Sequence, residues 1–147
     1  ERIDHDYVSV DPFSLYEVPV SDQVFMAQSQ IIKKLAQEGP CVIIGRCADY
    51  VLREQPGVTS VFIYADMSVR IACLMERRRI TRDEAITLIK KTDKSRRNYY
   101  ECYTGKRWGA GASYDVTLNS AELGLETCVD LICSLYERKQ EGDAQAR

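Results

Sequence analysis

The stretch SVFIYAD at residues 60–66 decides the predicted fold class. Its first five residues form a short apolar run with β-branched and aromatic side chains, which is typical of a strand buried in a parallel sheet. Asp66 comes next and can cap a helix, which we predict over residues 67–78. A strand that leads at once into a helix is the building unit of α/β folds. The stretch therefore predicts a parallel sheet with helices packed against it.

The rest of the chain repeats this alternation of strand and helix. The apolar run at 41–44 and the stretch DVTLN at 115–119 predict two more strands, of which the first should be buried on both faces. Helices are predicted over 21–38, through Ala48, Val51 and Leu52, over 67–78, from the Thr81-x-x-Glu84 capping box to Tyr99 or Tyr100, and over 124–138. Three strands make a small sheet of this kind, and its first, central strand is unaccounted for.

Length and charge restrict the possible functions. A chain of 147 residues is the size of one domain, and its composition of 45% hydrophobic and 29% charged residues is that of a globular protein. The net charge of −2 argues against a protein that wraps a nucleic-acid polymer. Basic residues are nevertheless clustered at 77–82 and 90–97, which favours capture of a small polyanion.

The cysteines and the apolar runs indicate the compartment. No Cys-x-x-Cys pair occurs among the six cysteines, and most lie in apolar runs or on apolar helix faces, so we expect buried, reduced thiols in a cytoplasmic protein. No apolar run approaches the roughly 20 residues of a membrane span, and no secretory signal is visible. The lone His5 has no partner ligands at metal-binding spacing, so no metal site is predicted.

Candidate site residues follow the predicted strand at 41–44. Ligands bind beyond the carboxyl ends of strands in open parallel sheets, which is where Gly45 and Arg46 lie. The guanidinium of Arg46 could grip a phosphate or a base edge through two bonds. It could equally well form a surface pair with Asp49, and the local sequence does not decide between these roles.

Two basic helices predict a second part of the site. Arg77 and Arg78 could simply complement the dipole at a helix end. Asp93 and Arg96 share one face of the next helix, with Lys90 and Lys94 a turn apart beside them. Joined by a short turn, the two helices could close over phosphates and stabilise the charge on a transferring phosphoryl group.

Several motifs, in order, resemble the cytidylate kinase-like family. They are AQSQII at 27–32, VIIGRCADYVL at 42–52, VFIYA at 61–65, KTDKSR at 91–96 followed by Tyr99-Tyr100, WG at 108–109, and YDVTLN at 114–119. The resemblance runs from about residue 22 to residue 135 and agrees in spacing, so it is specific.

This resemblance implies a three-layer, P-loop kinase-like α/β fold and transfer of the ATP γ-phosphoryl group, with Mg²⁺, to CMP or dCMP. By position, Arg46, Asp93 and Arg96 resemble acceptor-binding residues, while Arg77 and Arg78 resemble the catalytic arginines of a helical lid, here around 77–100. Lys90 and Lys94 are expected to bind phosphate. The family domain would span 21–138, between an irregular segment at 1–20 and a polar tail at 139–147.

The chain departs from the family pattern in two places. The better characterised members have an acid directly after Gly-Arg, where this chain has Cys47; Asp49 could serve instead. No G-x-x-x-x-G-K-[ST] loop precedes the first strand, and the glycines at 105–111 follow a helix, which is the wrong context for a phosphate loop. The alternative function is an inactive nucleotide-binding or scaffold module that keeps the acceptor site. A sheet without its central strand would expose edges, so a homodimer is possible.

Overall fold

The computed structural model describes residues 19–145, with side chains described for residues 19–139. The chain divides into two compact units, Glu1–Cys41 and Val42–Arg147. In the first, α1 (Val20–Glu38) begins after Pro19, whose carbonyl accepts the Asp22 and Gln23 N–H groups, and ends at Gly39 before Pro40, as predicted. His5 and the predicted irregular segment up to residue 18 lie outside the described residues, and the boundaries proposed for the family domain stay predictions.

The second unit contains two strands and five helices within the described part of the chain. They are α2 (Ala48–Val51), β1 (Val61–Tyr64), α3 (Met67–Arg78), α4 (Arg82–Thr104), β2 (Val116–Asn119), α5 (Ser120–Leu123) and α6 (Leu125–Gln145), with a 3₁₀ turn at Gly111–Ser113 before β2. None of the helices within residues 19–145 is long and apolar enough to cross a membrane.

The two strands form a parallel sheet, which confirms the predicted α/β class. Val61 pairs with Val116, and the register continues to the pairing of Tyr64 with Asn119. At the start of both strands, Asp115 accepts hydrogen bonds from the Ser60 N–H (2.7 Å) and hydroxyl (3.0 Å). The connection between the strands runs through α3 and α4, because parallel neighbours need a crossover of this length.

The prediction of a buried strand at residues 41–44 is wrong. These residues have no regular structure, and the side chains of Val42 and Ile44 are 91% and 89% exposed. A strand exists only when its backbone N–H and C=O groups pair with a neighbour. The sheet in the described part of the chain consists of β1 and β2, and neither pairs with this run.

The helices α3 and α4 form a hairpin with its own apolar core. The predicted capping box opens α4, since Thr81 accepts the Glu84 N–H while Glu84 accepts the Thr81 N–H. The core contains Ile71, Ala85 and Ile89, with Leu74, Ile80 and Ile86 packed against it. The helix α4 continues past its predicted end to Thr104, because Gly105, in the left-handed conformation (φ 65°), is the first residue that stops it.

The last part of the chain contains one helix that was not predicted. The Asn119 side chain caps α5 by accepting the Ala121 N–H, and Gly124 separates α5 from α6. The helix α6 continues beyond the predicted residue 138 to Gln145.

The cysteines agree only in part with their expected burial. All six are free thiols, but only Cys47 and Cys128 are buried. The other four, Cys41, Cys73, Cys102 and Cys133, are exposed. Three of these lie on helix surfaces that no other described element covers, so helical spacing alone overestimated their burial.

Candidate functional site

A left-handed turn follows residues 42–44. Gly45, Arg46 and Cys47 have φ angles of 72°, 55° and 56°, and the Ala48 N–H donates to the Gly45 carbonyl (3.1 Å). Two successive non-glycine residues in this conformation are uncommon, and such backbone is concentrated at functional sites. The turn buries the Cys47 side chain, which is 3% exposed, and leaves Arg46 at the surface.

Asp49 connects this turn to α4. The Tyr100 hydroxyl donates a hydrogen bond of 2.6 Å to the Asp49 carboxylate. Tyr100 is 5% exposed, and burial, together with this hydrogen bond to a carboxylate, raises the pKa of its hydroxyl well above the ordinary value. Tyr100 therefore stays protonated and serves as a fixed donor to Asp49. The pair that the sequence allowed between Arg46 and Asp49 is not what holds Asp49.

Aromatic rings connect the same tyrosine to the sheet. Tyr100 stacks on Tyr114 with ring centroids 6.3 Å apart, and Tyr114 lies 4.9 Å from Phe62 of β1. Trp108 meets the Phe62 ring edge-on at 5.6 Å. Burial raises the pKa of Tyr114, so its hydroxyl is also protonated at neutral pH. We call Tyr100, Tyr114, Phe62 and Trp108 the aromatic column.

Arg46 lies close to the neighbouring tyrosine of α4. Burial raises the pKa of the Tyr99 hydroxyl, and the nearby Arg46 guanidinium opposes this rise. A guanidinium has five N–H donors in a planar fork, which suits it to bind an anion. Adjacent residues of α4 thus lie against one loop: Tyr99 is near Arg46, and Tyr100 donates its hydrogen bond to Asp49.

Cys47 occupies the position where the resemblance led us to expect an acid. Burial, followed by the nearby Asp49 carboxylate, raises the pKa of its thiol to about 11. A neutral, buried thiol is a poor nucleophile and a poor acceptor of hydrogen bonds. We therefore assign Cys47 no catalytic or binding role. Its buried side chain packs beneath the turn.

Asp93 is held by an arginine that the sequence did not single out. Arg70 of α3 donates from both terminal nitrogens to the two oxygens of Asp93, each at 2.7 Å. The Asp93 side chain is 17% exposed, and the hydrogen bonds raise the pKa of Arg70 above its ordinary value. No motif contains Arg70, and the pairing depends on how α3 and α4 pack, so sequence patterns could not identify it.

The other predicted residues are spread along the hairpin. Arg96 is exposed on α4, three residues after Asp93 and four before Tyr100, which places all three on one face. Lys90 and Lys94 are exposed close to Asp93 on the same helix. Arg77 and Arg78 are exposed in the last turn of α3, roughly 11 Å along the helix axis from Arg70.

The geometry thus assembles part of the predicted set. Tyr100 joins α4 to Asp49, two residues after the turn at 45–47, and the same helix carries Asp93 and Arg96. Arg77 and Arg78 lie in the last turn of α3, at the closed end of the hairpin. Sequence reasoning missed the roles of Arg70, Tyr100 and Tyr114. Within the described residues, no group of three or more His, Cys, Asp and Glu side chains could hold a metal ion.

Comparisons with known proteins identify the family and support the fold. The model of the cytidylate kinase-like family matches residues 4–122. A crystal structure of an uncharacterized protein from Eubacterium ventriosum ATCC 27560 is similar to the chain at a TM-score of 0.77 and 30% identity, covering 83% of this chain and 69% of that one. The fold is consistent with a three-layer α/β arrangement, and a search of curated proteins found no match. The family match covers most of the sequence, and the chain belongs to the cytidylate kinase-like family.

Proposed function

We propose that the chain provides the acceptor side of a nucleoside monophosphate kinase whose acceptor is CMP or dCMP. The observation that carries the proposal is the left-handed turn at Gly45–Cys47, which leaves Arg46 exposed and is tied to the helix that carries Asp93 and Arg96. The Tyr100–Asp49 hydrogen bond ties the loop that carries Arg46 to the helix that carries Arg96. Arginine is well suited to bind phosphate through two parallel hydrogen bonds.

Each side chain has a proposed role in this site. Arg46 and Arg96 bind the monophosphate and the sugar side of the acceptor. Asp93, oriented by Arg70, accepts hydrogen bonds from the nucleoside, since each of its oxygens has a lone pair beyond the one Arg70 occupies. Asp49 uses one oxygen for Tyr100 and could offer the other to the base.

The donor side of the reaction would use ATP and Mg²⁺. Kinase sites hold Mg²⁺ largely through substrate phosphates and one or two carboxylates, so we place the ion with ATP and assign it no residue. We propose that Arg77 and Arg78 stabilise charge on the transferring phosphoryl group, with Lys90 and Lys94 assisting at the phosphates. Their exposure on the hairpin supports access to a ligand.

Calorimetric titration of the chain with CMP, dCMP, UMP and AMP tests the acceptor site directly. We expect a cytidine monophosphate to bind best and Arg96→Ala to weaken that binding by about 1–3 kcal/mol, which is roughly 5- to 150-fold in Kd. Lys91→Ala is the matched control, because it removes one exposed charge from the opposite face of α4. Unchanged affinity in Arg96→Ala, or no binding of any of the four nucleotides, would refute the proposal.

An assay of phosphoryl transfer from ATP to CMP, run beside this titration, separates the kinase from the inactive binding module. Binding of CMP without any phosphoryl transfer would favour the module. We also propose a cytoplasmic location, supported by six free thiols. A homodimer is supported by the exposed apolar side chains of Val42 and Ile44, and sedimentation at high concentration would test it.

A further inference from the structure

The turn at Gly45–Cys47 needs an anchor outside its own segment. Non-glycine residues in the left-handed region are strained and persist only when their surroundings fix them. The helix that follows, α2, is four residues long, and so short a helix contributes little stability of its own. Contacts from a more stable element must therefore hold the turn in place.

Tyr100 meets this requirement. Its hydroxyl lies 2.6 Å from the Asp49 carboxylate although the two residues are 51 positions apart in sequence. Asp49 is two residues after Cys47, so fixing this carboxylate fixes the end of the turn.

The ring of Tyr100 is itself immobilised. It is 5% exposed and stacks on Tyr114, which packs on Phe62 of the sheet. The Tyr100 carbonyl accepts the Thr104 hydroxyl at 2.7 Å, in the last turn of α4. Tyr100 is thus held by contacts to the sheet and by its place in α4, the longest helix of the described chain.

We propose that Tyr100 is a positioning residue: by holding Asp49, it keeps the Gly45–Cys47 turn in the conformation that presents Arg46 to the phosphate group of the acceptor. The proposal rests on the proposed function and adds a determinant of affinity for the phosphate as distinct from the nucleoside. Arg46 has no regular secondary structure of its own to orient it. Its direction therefore depends on what holds the turn.

Tyr100→Phe tests the proposal, because it keeps the ring and removes the hydroxyl that Asp49 accepts. We expect the Kd for CMP to rise about 5- to 20-fold, which is about 1–2 kcal/mol and the low end for loss of a hydrogen bond to a charged group. The Kd for cytidine, which lacks the phosphate, should change less than about twofold. Amide hydrogen exchange at residues 45–49 should become faster, since the turn loses its anchor.

Two further variants sharpen the result. Tyr136→Phe removes a hydroxyl from an exposed tyrosine of α6 and should bind CMP as the unaltered chain does. Asp49→Ala with Tyr100→Phe should be no weaker than Asp49→Ala alone, because both changes break the same contact.

Two outcomes would overturn the proposal: unchanged CMP affinity and exchange in Tyr100→Phe, or equal losses for CMP and cytidine, which would indicate a general structural effect. If the unaltered chain binds no monophosphate, the proposed function fails together with the affinity claim. The exchange measurement then still decides whether Tyr100 anchors the turn.

Discussion

Arg70 and Asp93 join α3 and α4 through two parallel N–H···O bonds of 2.7 Å each. Together with the apolar core of Ile71, Ala85 and Ile89, this ion pair makes the two helices one hairpin. Both Asp93 oxygens are engaged, so the carboxylate has a fixed orientation before any ligand arrives. A lid built on these helices would therefore move as a single body.

Breaking this ion pair should destabilise the chain. Arg70→Ala leaves a carboxylate that is mostly buried without its partner, so we expect a loss of about 1–3 kcal/mol in the free energy of unfolding. A double-mutant cycle with Asp93→Ala, measured by urea denaturation, should give a coupling energy of about 1 kcal/mol or more. Arg77→Ala, seven residues further along α3 and exposed, should stay within about 0.5 kcal/mol. Additive effects of the two single changes would show that the pair contributes nothing.

Gly109 is required for the loop that covers the sheet. Its φ is 76°, and a Cβ there would lie 3.1 Å from the Phe62 ring. Gly109→Ala should therefore cost about 1–2 kcal/mol from backbone strain alone. Gly111→Ala is the matched control, because its Cβ would meet nothing nearer than a Thr117 methyl at 3.9 Å. Thermal unfolding gives the midpoint temperature of each variant. Equal midpoints for Gly109→Ala and Gly111→Ala would contradict this account of the loop.

The hydrogen bonds between Ser60 and Asp115 should make the free energy of unfolding depend on pH. Hydrogen bonds from the Ser60 backbone N–H, with its hydroxyl and Lys139 contributing less, lower the pKa of Asp115 below its ordinary 3.8. A lowered folded-state pKa means that the stabilisation is present above the unfolded value and is lost as pH falls through the folded one.

Asp115→Asn should accordingly have a lower free energy of unfolding than the unaltered chain at pH 7. This difference should narrow once the pH falls below about 3.8. Urea denaturation at pH 7, 5 and 3 measures the difference. A difference that stays constant across this range would mean that the charge of Asp115 does not contribute.

The cysteines should differ in reactivity according to their burial. Cys47 combines burial with a thiol pKa of about 11, whereas Cys102 is exposed on α4. At pH 8, iodoacetamide should modify Cys47 at least about a hundredfold more slowly than Cys102, because the thiolate is the reactive form. Mass spectrometry of the native chain gives both rates, and a denatured sample provides the control. Equal native rates would show that the turn opens readily.

Local signals in the sequence determined where several elements begin. Asp66 stands at the N-cap position of α3, although its side chain makes no capping hydrogen bond, and the Thr81–Glu84 box caps α4. The run at 60–64 gives β1. Motif order identified the family, which the match over residues 4–122 confirms.

Features that depend on residues far apart in sequence followed only from the tertiary structure. The run at 41–44 has the composition of a strand but no neighbour to pair with. Arg70 meets Asp93 across 23 positions and Tyr100 meets Asp49 across 51, and no local pattern encodes either contact. Short-range chemistry was enough to predict β1, several helix starts and the family motifs. Packing alone determined which side chains hold the left-handed turn, because hydrogen bonds and ring contacts form only after the chain brings them together.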